Sequence, residues 1–184
     1  MTREPGRTVM LPCSGALLPL MSTHLHLRAV PPPALRNSVN WLQRLFEDDR
    51  SGDRARVCRH REEVLDEDYR EQELLYAGSP PLRTEDPPRT EVVLGGRPVF
   101  LPDRGKPPFL VLTAAQATRV ALFLTSADFE ALWRPARSRL LARHGGIAAE
   151  PRTRGAFAAA HRDLTAFYVR TAECGDAVVK WFMD

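Results

Sequence analysis

Lysine is almost missing from this 184-residue chain: of 26 basic residues only Lys106 and Lys180 are lysine, and the rest are arginine. That bias, with the many alanines and 16 prolines, resembles codon usage in a GC-rich bacterial genome and carries little information about partners. Charge of one sign is missing too. The 26 cations lie scattered among 23 acids for a net charge of +3, so no basic stripe is available for nucleic acid, and none is expected as a partner. Cysteine is scarce. Cys13, Cys58 and Cys174 are odd in number, far apart and outside any C-x-x-C pair, which excludes a disulfide framework or zinc knuckle and points to reduced thiols in a cytoplasmic protein. No run approaches the ~20 apolar residues of a membrane-spanning helix.

Residues 1–20 imitate a secretory signal, with Arg3 and Arg7 ahead of the apolar stretch Val9 to Leu20. Pro12 and Pro19 break that stretch, no small-residue cleavage site follows, and Pro12 before Cys13 makes a poor lipoprotein site. Residues 1–20 are therefore expected to be a disordered extension, or Met21 to be the true start, with residues 21–184 forming one domain. A hydrophobic share of 43% and a charged share of 27% suit a globular protein. A chain of this length buries roughly 70% of its unfolded surface and needs no staple.

Thr23 to Val30 alternates polar and apolar residues, which in a strand places Leu25, Leu27 and Ala29 on one face and His24, His26 and Arg28 on the other. Pro31-Pro32-Pro33 ends it. Helical spacing of Val39, Leu42, Leu45 and Phe46 follows, with Asn37 or Ser38 as cap. Asp53 to Tyr76 reads as one charged amphipathic helix, and residues 78–90, rich in proline, as an irregular loop. Glu91 to Phe100 reads as a hairpin turned by Gly95-Gly96, with Pro98 on a sheet edge.

Phe109 to Leu112 is a short buried strand leading into Thr113-Ala114-Ala115-Gln116, a capping box. The helix after it runs to about Leu124. Thr125 or Ser126 then caps another, kinked or divided at Pro135 and stopped by Gly145-Gly146. A last helix from about Gly155 to Glu173 ends near Gly175 and feeds the strand Ala177 to Phe182. The fold class expected is α+β, a small mixed or antiparallel sheet covered by four or five helices.

In this order the segments resemble a bacterial family of unknown function, the YfbM-like or DUF1877 domain. The likeness spans about Met21 to Asp184. It is carried by the opening strand and its Pro-initiated helix, Asp68-Tyr69-Arg70-Glu71-Gln72-Glu73-Leu74-Leu75-Tyr76-Ala77-Gly78, the Gly95-Gly96 turn, Leu112 to Gln116, and above all Leu164 to Val179. The resemblance implies a small α+β protein and supplies no reaction, cofactor or catalytic residue. The extension before Met21 and the proline-rich loop near residue 85 depart from the family pattern.

For chemistry, His24-x-His26 is the sharpest candidate, because residues two apart on a strand point the same way and could present two imidazoles to one metal ion. The plainer reading is a polar strand face. Seven carboxylates between Glu62 and Glu73 could hold a cation or dock a basic partner, but Arg59, Arg61 and Arg70 interleave with them as ion pairs would. His60-Arg61-Glu62-Glu63 is not the H-E-x-x-H zinc motif, no G-x-S-x-G elbow exists, and the paired glycines lack the rest of a phosphate loop. Cys174 follows a helix C-terminus, the wrong end to stabilise a thiolate. Asp176 completes the turn after Gly175. Trp41, Trp133 and Trp181 read as core. A shared polar cleft of His24, His26, Arg28, Tyr168 and Arg170 would form if the first strand packed near the last helix. The function expected is a binding or protein-interaction module without a cofactor, not an enzyme, and with no membrane contact. The alternative is a metal-assisted hydrolase using a divalent ion on His24 and His26.

Overall fold

The structure, a computed structural model, describes residues 24–47, 61–66, 69–79 and 83–183. The expectations for residues 1–20, for Met21 as start, and for Cys13, Cys58 and His60 lie outside the described residues.

Among the described residues five strands form one antiparallel sheet: β1 (His24–Val30), β2 (Glu62–Leu65), β3 (Arg97–Val99), β4 (Phe109–Leu112) and β5 (Ala177–Met183), in the order β2-β1-β5-β4-β3. The alternation read in the first strand sets both faces. Leu25, Leu27 and Ala29 join Leu112 and Val178 beneath one layer of helices, while Val30 joins Phe109, Val111, Val179 and Trp181 beneath another. The second layer is α1 (Val39–Glu47), which contributes Leu42, Leu45 and Phe46 and whose first turn receives the Ser38 hydroxyl. The first layer is larger: α2 (Tyr69–Ala77), α3 (Pro87–Glu91), α4 (Ala114–Ser126), α5 (Phe129–Arg143) and α6 (Glu150–Glu173). The fold is α+β, as expected.

Several local expectations are corrected. No single helix spans Asp53 to Tyr76, because Glu62–Leu65 adds to the edge of the sheet, pairing Leu65 with Leu25 and Glu62 with Arg28, and the helix begins only at Tyr69. Pairing with a neighbouring strand outweighs helix propensity in a segment that buries just Leu65 of its four residues. The hairpin across Gly95-Gly96 is also replaced. Pro87 and Pro88 open α3, where a missing amide costs nothing, and Val92 and Val93 continue it as a buried turn; β3 pairs instead with β4, with Pro98 on the outer strand as expected.

Neither Thr125 nor Ser126 caps a helix, since their hydroxyls bond back to the Ala121 and Phe123 carbonyls, and Asp128 caps α5 through the Glu130 amide. α5 continues through an exposed Pro135. The last helix starts five residues earlier than expected, with proline in its first turn. The capping box at Thr113 and Gln116 is present in full.

Candidate functional site

The alternation of β1 puts His24, His26 and Arg28 on the face that carries α1, and β2 supplies their partners. His24 Nδ1 lies 3.2 Å from Asp66 Oδ1 and His26 Nδ1 lies 2.7 Å from Glu62 Oε1. Arg28 closes the row: its Nε and Nη2 donate to Glu62 at 3.1–3.2 Å, Nη1 donates to the Leu45 carbonyl of α1, and the guanidinium lies 5.0 Å over the Phe46 ring. Arg28 is only 6% exposed, so its paired carboxylate matters energetically. Burial opposes ionisation of Glu62, but the hydrogen bonds from His26 and Arg28 and the positive charge of Arg28 prevail and hold its carboxyl below the usual range.

Val64, directly across from His26, is 41% exposed in the middle of this polar row. On the same side, Trp181 pairs with His26 from β5, donates its indole N–H to the Pro107 carbonyl and lies beneath Lys106.

A second polar locus sits on the opposite face. Lys180, paired in register with Leu27, is fully buried, and its Nζ donates to the carbonyls of Glu91, Val92, Val93 and Gly95 at 2.5–3.2 Å. Desolvation pushes its ammonium down to about 7, against the pull of Glu73 and Glu91. The Tyr168 hydroxyl reaches the Val92 carbonyl at 2.8 Å, and burial raises that phenol well above its ordinary range. Glu73 accepts from Arg83 and from the Leu94 amide, while Glu91 accepts from Gln116 and lies 3.5 Å from Arg119. The Lys180 ammonium and the Tyr168 hydroxyl face the 91–95 turn, as does one oxygen of Glu73, while Glu91 turns its carboxylate to α4. Its chemistry is that of a tether between turn and sheet, with all three ammonium hydrogens engaged.

The expected cleft is therefore divided between two faces. His24, His26 and Arg28 come together, Tyr168 lies across the sheet, and Arg170 is exposed on α6, its Nε on the Ala166 carbonyl. Arg61 ties down the end of that helix, donating to the Arg170 carbonyl and Cys174 Sγ and standing 3.6 Å from Asp176. Among the described residues no group of three or more His, Cys, Asp or Glu side chains is arranged to hold a metal ion, and no helix is long and apolar enough to cross a membrane. Trp133 and Trp181 are buried and Trp41 partly so.

The sequence does not display the roles of three residues, Glu62, Asp66 and Lys180. Glu62 and Asp66 fall in the segment read as helix, and Glu62-Glu63-Val64-Leu65, two polar residues followed by two apolar ones, has no alternation that would mark a strand. Lys180 carried the one available hint, a charge within the apolar run Val178-Val179-Lys180-Trp181-Phe182.

No protein-family model matches the sequence, and no curated protein matches it significantly. Among solved structures, the crystal structure of YfbM from Escherichia coli, a protein of unknown function, matches with a TM-score of 0.62 and 14% identity, over 87% of this chain and 99% of that one. The chain thus has the fold of YfbM, and the YfbM-like resemblance read from its sequence holds at the level of the fold.

Proposed function

We propose that this chain is a binding module for a protein partner, and that β2 with the adjoining row of β1 is its docking surface. The carrying observation is Val64, exposed on the outermost strand of the described sheet and flanked by Glu62, Glu63 and Asp66. An outer strand presents backbone donors and acceptors to an extended segment, which gives affinity, while side chains beside it give selectivity. The carboxylates favour a basic segment. Glu63, on the opposite face of the same outer strand beside α6, supports this choice for a segment that reaches both faces of the edge: burial and the neighbouring Asp163 hold its carboxyl above the usual range despite Arg170, so a partner's cation would favour its ionised form.

The full chain, purified from its native host with a mild tag, is expected to retain a stoichiometric protein identifiable by mass spectrometry. Val64→Asp and Glu63→Lys should each lose it with an unchanged circular dichroism spectrum. Equal retention by both variants, or no retained protein, would overturn the reading. The hydrolase alternative would require a third ligand beside His24 and His26, and the interaction reading stands ahead of it.

A further inference from the structure

The two histidines beside the docking strand carry a further feature. Each turns Nδ1 toward a carboxylate on β2 or just after it, at 3.2 Å from His24 to Asp66 and 2.7 Å from His26 to Glu62. An ionised carboxylate only accepts, so in the neutral ring each contact selects the tautomer with the proton on Nδ1, which leaves the Nε2 lone pair to a ligand. The two nitrogens of an imidazole lie on opposite flanks of the ring. Since both carboxylates belong to the β2 side, both Nε2 atoms are turned away from β2, on one face of one strand.

We infer that His24 and His26 form a two-imidazole chelate for one transition-metal dication, with Asp66 and Glu62 orienting the rings and water completing the shell. A metal about 2.1 Å from Nε2 lies about 3.2 Å from the ring centroid, so two rings sharing an ion have centroids roughly 5–6 Å apart. The His24 and His26 centroids are 6.5 Å apart, edge to face. Closing the remaining ~1 Å takes a small side-chain rotation, which the partly exposed rings can make. Among the described residues, Asp66 and Glu62 face the two rings, against Arg28 on the same strand and Lys106 above the neighbouring Trp181, and carboxylates behind imidazoles raise their basicity as ligands. Imidazole pairs suit zinc, copper and nickel ions over calcium or magnesium.

The test is calorimetric titration of the full chain with Ni²⁺, which involves no protein partner and so succeeds or fails independently of the docking proposal. One Ni²⁺ per chain is expected, with affinity falling by about tenfold or more in His24→Ala and in His26→Ala, and by a smaller factor in Asp66→Asn. Paramagnetic broadening of ring-proton resonances in nuclear magnetic resonance should begin with His24 and His26, whether or not a variant folds poorly. No binding, or equal binding by the wild type and the His24→Ala, His26→Ala double variant, overturns the inference.

Discussion

At the scale of single residues, the buried titratable groups are the most informative, because each is held by something the chain order does not display. Lys180 is the clearest case. Replacing it with methionine keeps the volume but strips the Glu91, Val93 and Gly95 carbonyls of their shared donor, while Val92 keeps Tyr168. Lys180→Met should therefore lower stability by about 3 kcal/mol, measured as a fall in urea midpoint at constant slope. His161 offers a pH-dependent counterpart. Its Nδ1 is 3.0 Å from the Tyr76 hydroxyl, and desolvation, with the nearby charge of Arg162, pulls its pKa below the ordinary 6.5. The folded state thus prefers the neutral ring, so this contribution is complete above pH 6.5 and is lost as pH falls below it. The unfolding midpoint should drop as pH falls below 6.5, and His161→Gln should flatten that part of the slope. An unchanged slope in the variant would show that other groups cause it.

At the scale of elements, the connection between α3 and β3 depends on two glycines for different reasons. A β-carbon at Gly95 would lie 2.1 Å from the Thr90 carbonyl oxygen and 2.8 Å from the Glu91 α-carbon, both backbone. Gly96 has φ of 132°, where other residues are strained, and sits against the backbone of Val111. Gly95→Ala should cost about 2 kcal/mol or more, since neither backbone atom can move aside without dragging the turn that Lys180 holds. Thermal unfolding checks this, and Gly155→Ala is the control, because a β-carbon there meets nothing. Element identity was legible wherever local signals agreed, as in β1, α1, the capping box of α4 and the end of α6 with β5. It was misread at Glu62–Leu65 and at Val92-Val93. In both places a tertiary partner overrides the local pattern: β1 pairs with the acidic strand, and the Lys180 ammonium holds the valine turn.

At the scale of the whole molecule, the last strand is the centre of the sheet. β5 lies between β1 and β4, and its side chains alternate between the two hydrophobic cores, Val178 on one side and Val179 and Trp181 on the other. A chain ending at Gly175 should therefore lose both cores at once and fail to fold, seen as absence of dispersed amide resonances, although it removes only nine residues. The amino-acid sequence by itself determined the α+β class, the two-faced first strand and the segments that carry the YfbM-like resemblance, because alternation, helical spacing and capping are local properties. Only the tertiary structure decided which polar groups meet. It set His24, His26 and Arg28 against Glu62 and Asp66, and it sent Tyr168 to the far side of the sheet beside Lys180. Those juxtapositions depend on strand order and register, which bring together residues about 40 to 90 positions apart, and no local pattern encodes them.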